Sequence, residues 1–74
     1  MTKKKDLILQ FVKPKTKLRQ ERKKRELTTQ FMADLVGLER RQYELKESGQ
    51  YPFRDYEMLL ISKKLNIPIS ELFF

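Results

Sequence analysis

The sequence predicts an all-α domain of about five helices behind a short N-terminal extended segment, and three observations carry that expectation. Apolar residues in the stretches 28–36 and 55–65 recur at the three- and four-residue spacing of amphipathic helices. Helix-stopping residues, Gly37, Gly49 and Asn66, fall just beyond three of the expected helices. Residues 7–12, Leu-Ile-Leu-Gln-Phe-Val, are rich in strand formers and are stopped by Pro14. The organisation expected is a basic arm and apolar extended segment over 1–15, followed by a helical domain over 16–74.

Residues 1–6 form the arm. In the segment that follows, Leu7, Leu9 and Phe11 share one face of a strand and Ile8 and Val12 the other. A lone strand is unstable, so it needs a sheet partner or a core to lie on. Thr16 is the expected N-cap of a first helix reaching about Arg25. That helix is nearly all polar, with Leu18 as its anchor and Glu21 paired with Arg25 four residues on. Thr28 or Thr29 caps a second helix ending at Val36, whose Met32, Ala33 and Val36 make one apolar stripe before Gly37. A third helix runs from about Glu39 to Glu47, with Gly49 stopping it and Pro52 keeping the next loop non-helical. The fourth covers about 55–65, with Met58, Leu59, Ser62 and Leu65, joined by Ile61, as its inner stripe. Asn66 and Pro68 end it, and Ser70 caps a last short turn carrying Leu72 and Phe73.

Composition narrows the function. Seventy-four residues bound the chain to one small domain with a thin core. It has no cysteine and no histidine, so neither a disulfide framework nor the commonest metal ligands and acid–base group are available. Its carboxylates are scattered and form no nucleophile–base or metal cluster, so an enzyme, a metal and a cofactor are not expected. No apolar run approaches the roughly 20 residues of a membrane span and no signal-peptide h-region is visible, which makes the cytoplasm the expected location. The net charge of +7 is unevenly spread. Residues 1–25 hold eleven basic and two acidic side chains, a net +9, leaving −2 for the rest. Charge gathered at one end points to a polyanion, either nucleic acid or an anionic membrane surface. The first helix lacks the wide apolar face of a membrane binder.

The turn Val36-Gly37-Leu38 joins two short helices, and the second opens with Glu39-Arg40-Arg41-Gln42. This is what a helix-turn-helix needs: one helix braces across a duplex backbone and the next projects its first side chains into the major groove. Arginine and glutamine are suited to paired hydrogen bonds with guanine and adenine edges.

Across Leu18 to Phe73 the chain resembles the lambdoid phage repressor and Cro family, the XRE-type helix-turn-helix. The residues that carry the likeness are Leu18 with Arg22, Leu27-Thr28, Met32-Ala33, Val36-Gly37-Leu38, Arg40, Glu47 with Gly49, and Ile61 with Leu65-Asn66-Ile67 and Leu72-Phe73. The stretch Tyr43 to Met58 is similar to small regulators of phages and mobile elements in Gram-positive bacteria. The resemblance implies a sequence-specific regulator of transcription, a repressor or Cro-like switch, binding double-stranded DNA as a homodimer on a pseudo-palindromic operator. It implies base-facing positions for Arg40, Arg41, Glu44 and Leu45, with Gln42 beside them. It sets Thr28 and Thr29 against phosphate at the start of the second helix, where backbone N–H groups and the helix dipole favour an anion. Gln50 and Tyr51 are further phosphate candidates. It implies a structural ion pair between Arg22 and Glu47, and a core place for Tyr43, where the family has an aliphatic residue.

Bland readings stand beside these: solvated charges for Arg40 and Arg41, mere capping for the threonines, solubility for Lys3, Lys4 and Lys5. The chain also departs from the family it resembles. Glu39 stands where Ser or Thr is usual, and a carboxylate there suits the dipole but repels phosphate. Glu21 and Lys46 occupy usually aliphatic positions and are expected to pair with each other. Phe31, Leu35, Leu60 and Phe74 are additional apolar residues, which suggests a further layer or a partner. Residues 7–12 are expected to lie across Phe31 and Leu35 or to pair with their own copy. The competing function is a protein-interaction module (antitoxin, adaptor or phage inhibitor of a host protein) that uses Phe31, Leu35, Tyr51 and Phe53. Either covering role for Leu7 to Val12 predicts slowed amide hydrogen exchange there; exchange at the rate of an open chain rejects both.

Overall fold

The computed structural model describes residues 13–74, so the extended segment at 7–12 and the arm before it lie outside the described residues. Five helices follow in order: α1 (Thr16–Lys24), α2 (Thr29–Val36), α3 (Arg40–Glu47), α4 (Asp55–Leu65) and α5 (Ile69–Phe73). There is no strand among the described residues. No helix there is long and apolar enough to cross a membrane, and no group of acidic residues is placed to hold a metal ion.

The helix ends follow one rule. Glu26, Gly37, Gly49 and Asn66 each take left-handed backbone angles just past a helix. In each case the next residue's N–H reaches a carbonyl five residues back: Leu27 to Arg22 at 3.0 Å, Leu38 to Ala33 at 2.9 Å, Gln50 to Leu45 at 2.9 Å and Ile67 to Ser62 at 3.2 Å. These bonds satisfy carbonyls that the helix itself leaves open. Three of the four stops are the residue types best able to adopt that geometry. Glu26 carries no such signal.

Helix starts are more varied. The Thr28 hydroxyl accepts from the Phe31 N–H at 3.0 Å and is the cap of α2. The expected cap of α1 is displaced by one residue: Lys15 precedes the helix and Thr16 is its first member, without a capping bond. The Lys15 N–H is held by the Glu47 carbonyl at 2.9 Å, while its own carbonyl accepts from Arg19. Ser70 does not cap α5 either. Pro68 stands at that position, and its carbonyl accepts from Glu71 and Leu72. Its φ of −57° suits a helix start.

The core gathers Leu18 from α1, Met32, Ala33 and Val36 from α2, Tyr43 from α3, Phe53 from the loop, Ile61 and Leu65 from α4, and Leu72 and Phe73 from α5. Phe53 is its hinge, meeting Tyr43 at 5.8 Å and Phe73 at 5.1 Å, both edge to face. α2 packs on α3 and α4, and α5 packs on α1 and α4. The inner row of α4 is Glu57, Ile61 and Leu65, which corrects the expected stripe. Met58 and Ser62 are half-buried and Leu59 is 46% exposed. An acid takes the inward place because Lys46 and the Arg54 N–H both bond its Oε1, at 2.6 and 2.8 Å.

Gly49 (φ +90°) has the Lys13 carbonyl carbon and Pro14 nitrogen 2.4 Å from where a Cβ would stand; Gly37 (φ +77°) has nothing within 4 Å. Gly37→Ala should cost about 1–2 kcal/mol, the ordinary strain of a left-handed alanine. Gly49→Ala should cost clearly more in a denaturant titration, because the incoming chain must move as well. Equal losses would show that Lys13 and Pro14 yield freely.

Candidate nucleic-acid interface

One ion pair holds the site together. Arg22 on α1 meets Glu47 at the end of α3 through two bonds, Nε to Oε2 at 2.9 Å and Nη2 to Oε1 at 3.0 Å. Its remaining Nη1 donates to the Leu27 carbonyl at 2.9 Å. The buried Tyr43 hydroxyl donates to Glu47 at 2.6 Å, and Arg19 Nε adds a contact at 3.3 Å. Glu47 is 3% exposed. Burial alone would push its carboxyl up, but the bonds from Arg22 and Tyr43 and the charge of Arg22 outweigh that and hold it below its ordinary value. Burial, then the bond to Glu47, pushes the Tyr43 phenol up. The pair expected from the sequence is therefore in place, inside a four-residue network, and Tyr43 is core.

Glu21 and Lys46 do not pair with each other. Glu21 is bonded to Arg25 at 2.6 Å and lies 3.3 Å from Lys17, both one turn away on α1. Lys46 turns to Glu57 on α4 at 2.6 Å. The reason is reach: each charge has an opposite partner on its own side, and the inner Glu57 supplies one that helix spacing does not reveal.

With α3 clamped by Glu47 at its end and by Tyr43 from beneath, its outer side chains divide between two grooves. The first is lined by Thr29, Arg41, Glu44, Leu45 and Gln50, together with Arg19, Lys23 and Ser48. Arg41 and Lys23 are exposed and engage no other side chain among the described residues. Lys23 and Ser48, with Arg19, were not singled out by the sequence reading; the signal was there, since Arg19 and Lys23 are four apart on α1 and share a face. The second groove, on the other flank of α3, holds Gln42 and Tyr51 and again Leu45. Leu45 therefore stands between the grooves, at the middle of the outward surface.

The remaining site residues sort by their bonds. Thr28 belongs to neither groove and caps α2. Thr29 donates to Glu44 at 2.7 Å, and Arg40, with its side chain 65% exposed, lies 4.0 Å from the same carboxylate. Glu44 is thus partly occupied by its neighbours. The Gln42 side-chain oxygen accepts from the Glu39 N–H at 2.9 Å, so it closes the start of α3. Phe53 is 7% exposed in the aromatic core, which removes it from any partner surface. Phe31 is 38% exposed with Lys64 lying 5.4 Å from its ring centre, and Leu35 is half-buried against the core.

No family model matches the sequence, and no curated protein matches it. Among solved structures the chain is similar to the restriction-modification controller protein C.AhdI from Aeromonas hydrophila. The TM-score is 0.70 and the identity 29%, over 89% of this chain and 96% of that one. The fold is that protein's compact helical arrangement, helix-turn-helix included.

Glu47 is a stronger acid in the folded chain than in the unfolded one. Its stabilisation is complete above the ordinary value of 4.5 and is lost as pH falls through its lower native value. Denaturant titrations stepping from about pH 6 to about pH 2 should show falling stability. Glu47→Gln should flatten that slope, leaving the part due to Glu21, whose carboxyl Arg25 and Lys17 also depress. At neutral pH the same variant should cost about 3–5 kcal/mol, since Arg22 stays buried without its counter-charge. An unchanged slope would remove Glu47 as the acid-sensitive group.

Proposed function

We propose that this chain is a non-enzymatic, sequence-specific DNA-binding regulator of transcription, repressor or Cro-like, that lays α3 in the major groove of its operator. The observation that carries the reading is the outward surface of α3: Arg41 is exposed and Leu45 half-exposed on a helix whose opposite side is locked into the core by Tyr43 and Glu47. A rigid helix with unengaged side chains at its start is what direct readout of base edges requires. The likeness to a restriction-modification controller protein supports the same class of activity.

In this reading Arg40 and Arg41 address guanine edges, Leu45 contacts a thymine methyl, and Glu44 accepts from cytosine where Thr29 and Arg40 leave it open. Gln42, already holding the helix start, has its amide N–H groups left for an adenine or a phosphate. Thr28, Thr29, Gln50 and Tyr51 face phosphate, and Arg19 and Lys23 extend that contact along α1. Two copies bind a pseudo-palindromic site, one per half-site. Glu39, exposed at the start of α3, disfavours a phosphate close to that end and so keeps the backbone contacts on the flanks.

Selection from a random duplex library, followed by a salt titration on the winning sequence, tests the reading. One sequence should be enriched, and its affinity should fall steeply with salt. Arg41→Ala should weaken binding by about 1–3 kcal/mol and relax the preference at one base position. Lys23→Ala should weaken binding to every duplex alike and lower the salt slope by about one. Absence of any enriched sequence, or full affinity in the Arg41 variant, defeats the recognition-helix assignment.

A further inference from the structure

The helix α4 presents two faces that its core role does not explain together. Glu57, Ile61 and Leu65 form the buried row. Two residues earlier in phase, Asp55, Leu59 and Lys63 form a second row at the same four-residue spacing, and it points the opposite way. Leu59 is 46% exposed, Tyr56 beside it 52% and Leu60 on its flank 39%. Asp55 sits in the first turn and Lys63 in the last. Both are exposed, and neither engages another side chain among the described residues.

We propose that this outer row is the contact between two copies of the chain, with α4 packed antiparallel against α4 of its partner across a twofold axis at Leu59. The charge order on the row selects this arrangement. Leu59 lies midway between Asp55 and Lys63, so a twofold axis through it sets each copy's Asp55 against the other copy's Lys63. The apolar side chains of Leu59 and Tyr56 are covered between those two ion pairs. A parallel pairing would set Asp55 against Asp55 and Lys63 against Lys63. An isologous contact must be self-complementary, and this row is. Burial of its leucines removes apolar surface from water, while the ion pairs fix direction and register more than they add affinity. A single helix face makes a small interface, so the dimer is expected to form reversibly.

The inference deepens the two-copy arrangement proposed above by naming the surface that makes it, and it is testable without DNA. Sedimentation equilibrium of the full 74-residue chain should show a reversible monomer–dimer equilibrium. Leu59→Glu should leave a monomer with unchanged helical circular dichroism. Asp55→Lys alone and Lys63→Asp alone should each raise the dimer dissociation constant roughly tenfold or more through like-charge contact. Asp55→Lys with Lys63→Asp together should restore it towards the original value. Loss of folding in one variant cannot imitate that restoration. A chain that stays monomeric at about millimolar concentration overturns the proposal, and so does a dimer indifferent to the charge exchanges. Binding of the Leu59→Glu monomer to a duplex carrying one half-site is a separate reading. It reports on the DNA surface alone, so either proposal can fail without the other.

Discussion

The structure depends on the buried contact between Arg22 and Glu47. It joins the last turn of α1 to the end of α3, two elements that are otherwise short and poor in apolar residues. Leu18 is the only apolar residue of α1, and α3 offers the core Tyr43 alone among its side chains that are both large and buried. Hydrophobic burial is therefore too sparse to fix the angle of α3 by itself. A planar guanidinium meeting a carboxylate through two bonds sets both distance and direction. Tyr43 and Arg19 complete the acceptor capacity of Glu47, so the buried charge is not left exposed to an apolar surround.

The same economy appears at the other flank. Glu57 is fully buried at the start of α4 and takes Lys46 from α3 and the backbone of Arg54. Two carboxylates thus tie the C-terminal end of α3 to different neighbours, Glu47 to α1 and, through Lys46, Glu57 to α4. Glu57 Oε2 remains buried without a hydrogen-bond partner, so this second tie is less completely satisfied than the first. Tyr43 in the core and these ties at residues 46 and 47 hold the inner side of α3, while its outer side carries few side-chain bonds beyond those around Glu44.

Loop geometry turns this frame into a surface. The left-handed stop at Gly37 lets α2 reverse into α3 within three residues. The second stop, at Gly49, lets the incoming chain at Lys13 and Pro14 cross directly over the end of α3. The basic residues of α1 are thereby brought beside Ser48 and Gln50 rather than held away from α3. Charge that is merely concentrated at one end of the sequence becomes charge along one edge of the candidate interface.

The five helices and three of their stops were legible from residue order, because each rests on contacts within a turn or on residue types with a strong backbone preference; the Arg22–Glu47 pair, 25 residues apart, was expected only from the family resemblance. Gly37, Gly49 and Asn66 announce a left-handed angle; Met32, Ala33 and Val36 announce a face. What the order of residues did not disclose were choices between equivalent partners. Glu21 and Lys46 each had several opposite charges within reach, and only the tertiary fold, which brings the end of α3 to the start of α4, sent Lys46 to Glu57. The inner row of α4 shifted from Leu59 to Glu57 for the same reason, since the buried acid needs a lysine from α3 beside the backbone N–H at the start of its own helix. Local preference is written along the chain; the pairing of distant charges depends on which helices come to lie side by side.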